Sequence, residues 1–94
     1  GGCGLGCNTF GNDVKGVHNI VDGAYNGVYG EHNEVQGWSN KVKGAKNGVF
    51  GNENGVFGTA NNVKGNLNGV TGHFNGVKGN ANDVSGTHNG VYGN

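Results

Sequence analysis

The sequence contains no proline and no methionine, and it is poor in leucine, isoleucine and phenylalanine. With 94 residues and a mean hydropathy of -0.55, the chain is too small and too polar to form an ordinary globular core. It has no run approaching the roughly 18 apolar residues that span a membrane. Six lysines balance six acidic residues, and a net charge of zero gives no support to nucleic-acid or anionic-membrane binding. We therefore expect neither nucleic acid nor a membrane as a partner.

Motifs that carry chemistry are missing as well. No Ser/His/Asp or Cys/His set has a supporting spacing, and no glycine motif leads from a strand into a helix. The two cysteines, Cys3 and Cys7, have no histidine nearer than His18, which makes them a poor zinc signature. His18 and His32 share one repeat position, but two ligands without a carboxylate make a weak metal site. We expect no enzyme activity, no cofactor and no metal.

A phrase of seven residues, x-x-Asn-x-Val-x-Gly, repeats twelve times from residue 10 to residue 93. Its positions are labelled a to g here. Position c is asparagine throughout: Asn12, Asn19, Asn26, Asn33, Asn40, Asn47, Asn54, Asn61, Asn68, Asn75, Asn82 and Asn89. Position e is valine throughout: Val14, Val21, Val28, Val35, Val42, Val49, Val56, Val63, Val70, Val77, Val84 and Val91. A strict short period predicts a repeat architecture.

The spacing inside the phrase predicts strands. A coiled coil needs two apolar positions in seven, and a glycine in every copy costs a helix roughly 1 kcal/mol relative to alanine. Positions c, e and g are spaced by two, so Asn, Val and Gly face one side of a strand while d and f face the other. Glycine at g is the residue that a corner with positive φ requires. Each repeat is therefore predicted to be one strand and one corner.

Seven residues at about 3.3 Å each cannot close a turn around two sheets that lie about 10 Å apart, whereas fourteen can. The sequence thus predicts an all-β fold, a parallel two-sheet β-solenoid with 14 residues per coil and about six coils, over residues 10–94. Residues 1–9 form a degenerate repeat that is rich in Cys and Gly, with Leu5 and Cys7 on the inward phase. The two cysteines form a local disulfide or a link to a neighbouring subunit, and both alternatives stay open.

The predicted core is one column of valines, and burying a valine is worth roughly 1.5 to 3 kcal/mol. Ordering the backbone costs at least about 1 kcal/mol per residue, so burial alone does not stabilise this fold. The remainder is expected from backbone ladders and from a ladder of inward asparagine amides that bond from coil to coil, about 4.8 Å apart.

The outward positions mix charges, glycines and aromatic rings. We interpret the exposed rings either as lying flat on the neighbouring glycine at d and covering the strand, or as contacts to another solenoid or to a carbohydrate. The candidate contact residues are Tyr29, Trp38, Phe50, Phe57 and Tyr92.

The phrase, as it stands in TANNVKG and NANDVSG, resembles the heptad of the ice-recrystallisation-inhibiting and antifreeze proteins of cold-hardy grasses. The resemblance covers residues 10–93. It implies a left-handed β-roll of about two heptads per coil with an inner Val core, inner Asn ladders and ice-binding activity. Outward positions that hold mostly Thr, Ser and Val in the grass proteins hold Gly, Lys, Asp, Glu and aromatics here. Because mobile charges interrupt both faces, we expect ice binding to be absent or weak.

Two functions remain. The first is a structural protein whose solenoids stack head to tail into an extracellular or cell-surface fibril, a homo-oligomer in which carbohydrate is a further candidate partner. The alternative is an ice-binding protein. The start GGCG, without an initiator methionine or a signal-peptide pattern, suggests a processed chain. The end of the repeat shows no cap, so the predicted assembly residues are Cys3, Leu5, Cys7, Val91, Tyr92 and Asn94.

Overall fold

The computed structural model describes residues 8–94, with side chains from residue 11 onward. The described chain consists of short strands joined by two-residue corners. The strands are β1 (Asn8–Phe10), β2 (Asp13–Val17), β3 (Ile20–Ala24), β4 (Gly27–Glu31), β5 (Glu34–Trp38), β6 (Lys41–Ala45), β7 (Gly48–Asn52), β8 (Gly55–Thr59), β9 (Asn62–Asn66), β10 (Gly69–His73), β11 (Gly76–Asn80), β12 (Asp83–Thr87) and β13 (Gly90–Gly93). This part of the chain contains no helix with the length and apolar character needed to cross a bilayer.

The strands alternate between two parallel sheets. Sheet A has seven strands in the order β1-β3-β5-β7-β9-β11-β13, and sheet B has six in the order β12-β10-β8-β6-β4-β2. Each residue pairs with the residue 14 positions away, as Val35 does with Val49 and Val42 with Val56. The predicted parallel two-sheet β-solenoid with 14 residues per coil and about six coils is confirmed.

The interior contains one valine per strand. Every valine at position e from Val14 to Val84 is buried, and Val91 in the last described strand is partly buried. The asparagines at position c lie beside this column, and those from Asn19 to Asn75 are 1% exposed. Asn12 and Asn82 are half-buried, and Asn89 is exposed. The buried asparagine ladder is therefore confirmed, with more accessible rungs at the two ends of the described coils.

Each buried rung of this inner Asn ladder, from Asn19 to Asn75, is bonded through both its side-chain oxygen and its side-chain nitrogen. The side-chain oxygen of Asn40 accepts hydrogen bonds from the backbone N–H and the Nδ2 of Asn54, at 3.0 Å each. Nδ2 of Asn40 donates in turn to Oδ1 of Asn26 at 3.1 Å and to the carbonyl oxygen of Gly51 at 2.8 Å. Among the described residues, every buried side-chain nitrogen and oxygen has a hydrogen-bond partner. Satisfied amides avoid the desolvation penalty that buried polar groups otherwise carry.

The predicted location of the corner was wrong. Glycine at g is the fourth residue of a strand, not a corner residue, and the chain turns at positions b and c. The residue at b takes the left-handed conformation, with φ between 57° and 61° for the non-glycine residues from His18 to His88. This conformation costs roughly 1–2 kcal/mol for an L-residue. Closure of the coil imposes it on side chains as different as Lys46, Leu67 and Phe74.

The predictions for Cys3, Leu5 and Cys7 lie outside the described residues. Strand β1 nevertheless extends the roll into the N-terminal stretch, because Asn8 pairs with Asp22 and Thr9 with Gly23 in the 14-residue register.

Candidate functional site

The outer face of sheet B carries a row of lysines and aromatic rings at position f. The ammonium of Lys15 lies 5.6 Å from the centre of the Tyr29 ring, and that of Lys43 lies 5.8 Å from Tyr29 and 6.0 Å from Phe57. Such contacts contribute about 0.5–1 kcal/mol each at exposed sites. The alternation separates Lys15 from Lys43 by one strand, but Lys41 lies beside Lys43 on β6. The d and f positions of this half of sheet B therefore carry three lysines against Asp13.

One hydrogen bond fixes the Tyr29 ring on that face. Its hydroxyl donates to the carboxylate of Asp13, one coil earlier, at 2.7 Å. The hydrogen bond to this carboxylate is the largest cause that raises the pKa of Tyr29, followed by desolvation and by the charge of Asp13. Beyond Phe57 the f row changes to the hydroxyl residues Thr71 and Ser85, which are exposed.

The outer face of sheet A separates its charges along the roll. Asp22 and Glu34 lie on β3 and β5, whereas Lys64 and Lys78 lie on β9 and β11. Lys64 contacts the Phe50 ring at 6.0 Å, and Lys78 contacts the Tyr92 ring at 5.6 Å. A depression of about 280 Å³ lies beside the two lysines, and its lining residues are Asn62, Lys64, Gly76, Val77, Lys78 and Tyr92.

The aromatic residues predicted to contact a neighbouring solenoid or a sugar do not form one site. Tyr29 and Phe57 lie on sheet B, Phe50 and Tyr92 on sheet A, and Trp38 at the end of strand β5. A β-carbon added to Gly48 would lie 3.9 Å from the Phe50 ring and 3.8 Å from Oδ1 of Asn62, so one edge of this ring approaches the glycine of its own strand. The spaces above Gly27, Gly55 and Gly90 are open. The rings of Tyr29, Phe57 and Tyr92 therefore do not lie flat on the glycines of their own strands, and for these three that interpretation was wrong.

The corners carry two ring stacks. His18 and His32 stack at 4.9 Å between ring centres, and Phe74 and His88 stack at 5.1 Å. Within residues 8–94 no group of three or more His, Cys, Asp or Glu side chains is arranged to hold a metal ion.

A second, exposed asparagine ladder runs along one edge of the roll, where the strands of sheet A end. We call it the edge Asn ladder, and it consists of Asn52, Asn66, Asn80 and Asn94, all at position a. Oδ1 of Asn80 accepts from the backbone N–H and the Nδ2 of Asn66, at 3.1 and 3.3 Å. Oδ1 of Asn94 accepts from the same two groups of Asn80, at 3.2 and 3.3 Å.

The two ladders run in opposite directions. In the inner ladder the acceptor belongs to the earlier coil, whereas in the edge Asn ladder it belongs to the later one. The first rung also bonds, because the backbone N–H of Trp38 donates to Oδ1 of Asn52 at 3.1 Å. The seven-residue period did not predict this ladder, although the sequence contains four asparagines at 14-residue intervals.

At the last described coil, Tyr92 is 79% exposed and Val91 is half-buried. Oδ1 of Asn75 accepts from the backbone N–H of Asn89 at 3.0 Å and from its Nδ2 at 3.1 Å. Strand β13 thus continues the register of β11, from Gly76 paired with Gly90 to Gly79 paired with Gly93.

The comparisons with known proteins agree with this geometry. The family model of the grass antifreeze beta roll matches residues 8–94, which is the whole described roll. No curated protein matches the chain significantly. With a family match over nearly the full length and a two-sheet roll of the corresponding repeat, the chain belongs to the grass antifreeze beta roll family.

Proposed function

We propose that this protein binds ice and slows the recrystallisation of small ice crystals. The observation that carries the proposal is the family match over residues 8–94, because it spans every described strand. A fold alone does not transmit an activity, so the surface of this chain must also suit ice. The alternative interpretation of the sequence, ice binding, thereby moves ahead of the fibril.

The geometry supports this proposal through rigidity and regularity. A crystal surface is a periodic ligand, so a receptor gains most when its groups already stand at fixed intervals before binding. Here each position recurs on the next strand of its sheet, about 4.8 Å away. The two asparagine ladders and the parallel backbone pairing hold adjacent coils in a single register.

The charges on both faces limit the strength of binding. Lys41 and Lys43 stand side by side on β6, and Lys64 and Lys78 are neighbours on sheet A. Mobile, strongly hydrated ammonium groups oppose close docking of a flat lattice. We therefore expect inhibition of recrystallisation at micromolar protein, with little or no thermal hysteresis.

The experiment is a recrystallisation assay in a frozen sucrose film, with the intact chain beside the Val49→Asp variant at equal concentration. Val49→Asp is the control because it destroys the roll without changing the surface residues. Smaller ice grains with the intact chain alone support the proposal. The proposal is overturned if the grains are of equal size in both samples even when the protein concentration is raised about a hundredfold above the micromolar range.

A second candidate function is self-assembly by end stacking, the homo-oligomeric fibril expected from the sequence. The half-buried Val91 and the exposed Asn89 favour it, because a coil stacked on β12 and β13 would bury both. Such a coil can come from another copy or from further chain. Analytical sedimentation decides, since a species that remains at the mass of one chain at millimolar concentration excludes a fibril built by this contact.

Two further expectations belong with these proposals. Carbohydrate remains a candidate partner, but the exposed rings lie on separate surfaces, so we expect a sugar to contact one ring at a time. Quenching by oligosaccharides of the fluorescence of Trp38, which is 58% exposed, tests this expectation. We also infer that the protein is secreted or lies at the cell surface, since its family suggests this. Fractionation of cells that produce the protein, with detection in the medium and at the surface, checks the location.

A further inference from the structure

We propose that the ice-contacting surface is the edge Asn ladder, together with the aliphatic side chains of Leu67 and Ala81 beside it. The inference rests on the proposed ice binding and assigns its site. It places the contact on an edge of the roll, not on either broad face.

The first step is chemical uniformity. Asn52, Asn66, Asn80 and Asn94 occupy position a on four consecutive strands of sheet A, β7, β9 and β11 and the residue that follows β13. The row therefore presents the same amide along four neighbouring strands, and the three spacings between them make the row about 14 Å long. No column of d or f side chains on either face offers one chemistry over as many strands.

The second step is order before binding. Oδ1 of Asn66 accepts from the backbone N–H of Asn52 at 3.0 Å, and Oδ1 of Asn80 accepts from Asn66 in the same way at 3.1 Å. These bonds restrain side chains that are exposed to solvent and would otherwise sample several rotamers. Ordering entropy that is already lost in the free protein is not lost again on binding.

The third step is the group that each amide offers. An asparagine amide has two N–H donors, and Asn66 and Asn80 each use one within the ladder, toward the next Oδ1. The other N–H of each residue lies on an exposed side chain. The ladder thus holds donors of the same kind at one-coil intervals, each able to bind a water molecule in an equivalent place.

The fourth step is the apolar row next to the amides. Leu67 and Ala81 follow Asn66 and Asn80 at position b, and both are exposed, Leu67 by 57%. Their φ angles of 61° and 59° are set by the corner, so their directions repeat as well. A rigid surface that alternates amide and aliphatic groups can anchor ordered water while releasing loosely held water from its apolar part.

The patch is bounded by Trp38 before Asn52 and by Glu53 beside it, so it covers mainly strands β9 to β13. Its small size is a separate reason to expect weak ice binding. It also predicts that charge on the faces matters less than charge at the edge.

The test is Asn66→Lys/Asn80→Lys in the intact chain, which places two bulky charges in the centre of the patch. The matched control is Thr59→Lys/His73→Lys. These residues also occupy position a, but they end the preceding strands β8 and β10 of sheet B and therefore lie on the opposite edge of the roll. Circular dichroism and thermal melting establish that both variants keep the roll. Asn66→Ala/Asn80→Ala removes the amides without adding charge and replaces the lysine variant if the latter does not fold.

We expect the concentration needed to inhibit recrystallisation to rise about tenfold for the lysine variant, equivalent to about 1.4 kcal/mol of binding. The opposite-edge control should stay within about twofold of the unmodified chain. Unchanged activity in the edge variants, beside an active unmodified chain, overturns the site and leaves the proposed function intact. Equal losses in the variant and the control also overturn the site. An inactive unmodified chain overturns the proposed function, and the site with it.

Discussion

The carbonyl oxygen of Gly65 occupies the space that a β-carbon on Gly51 would need. The same relationship joins each glycine at position g to the glycine one coil later, from Gly16 and Gly30 up to Gly79 and Gly93. Glycine is therefore fixed at this position by the closeness of adjacent coils, in addition to its positive φ. This close approach explains why glycine stands at g in each described copy from Gly16 to Gly79. At Gly86 and Gly93 no such backbone contact is present, and the positive φ alone favours glycine.

Replacing Gly51 by alanine should unfold the roll or destabilise it by several kcal/mol, because the obstructing atom is backbone and cannot move alone. Gly93→Ala is the matched control. Gly93 has a comparable φ of 126°, but an added β-carbon meets nothing within 4 Å. Urea unfolding of the two variants separates the clash from the φ penalty. Similar unfolding midpoints for both variants would mean that the close approach of adjacent coils is not the reason why position g requires glycine.

A carboxylate in the valine column should abolish folding. Val49 is fully buried, and an unpaired charge in a row of methyl groups costs more than the entire stability of a small domain. The control is Val17→Asp, because Val17 is 52% exposed at position a. Circular dichroism should show a lost β signal for Val49→Asp and an unchanged one for Val17→Asp. Retention of the native spectrum and melting temperature by Val49→Asp would show that the column is not the core.

The sequence predicted the fold because two of its three fixed positions, c and e, are the buried ones. Asn and Val occupy every c and e position, and their period of two inside a period of seven is readable without coordinates. The corner was misplaced because its left-handed residues have no common chemistry. His18, Lys46 and Leu67 all adopt φ near 60° at position b, where coil closure overrides local preference.

The surface was less predictable for a different reason. The edge Asn ladder needs a period of 14, because the intervening a positions of sheet B, such as Thr59 and His73, face the other edge. Whether a ring such as Phe57 covers a glycine or approaches Lys43 depends on the side chain one coil away. These contacts form between neighbouring strands, so the pattern of residues within a single repeat does not predict them.

Removing one rung of the inner Asn ladder should cost about 3–9 kcal/mol. In Asn54→Leu, the carbonyl of Gly65 and the two donors of Asn68 lose their bonds to this side chain, at 2.9, 3.0 and 3.2 Å, and each buried unsatisfied group costs about 1–3 kcal/mol. Asn66→Leu is the control in the exposed edge ladder, where water can replace the lost partner and the change should be about 0.5 kcal/mol. Chemical denaturation measures both. Equal losses in the free energy of unfolding would show that burial does not determine how much each asparagine of a ladder contributes to stability.

The contact between Tyr29 and Asp13 should be visible in a titration at high pH. The carboxylate of Asp13 accepts a hydrogen bond from the Tyr29 hydroxyl, so ionising Tyr29 would place two negative charges at hydrogen-bond distance. The pKa of Tyr29 is therefore raised above its ordinary value of 10.0. The raised pKa means that the folded state favours the protonated phenol. The contribution to stability is therefore fully present below the pKa of the unfolded chain and is lost as the pH rises through the folded pKa.

Tyrosinate absorbance of the intact chain minus that of Tyr29→Phe isolates this residue from Tyr25 and Tyr92. The same difference in an Asp13→Ala background removes the acceptor and the charge together, and its midpoint should move down toward 10.0. Lys15 and Lys43 remain beside the ring in both backgrounds, so their charges cancel in the comparison. A midpoint that is the same with and without Asp13 would mean that the bond does not persist in solution. The Tyr29 ring would then be free to move away from the outer face of sheet B, because no hydrogen bond to Asp13 would hold it between Lys15 and Lys43.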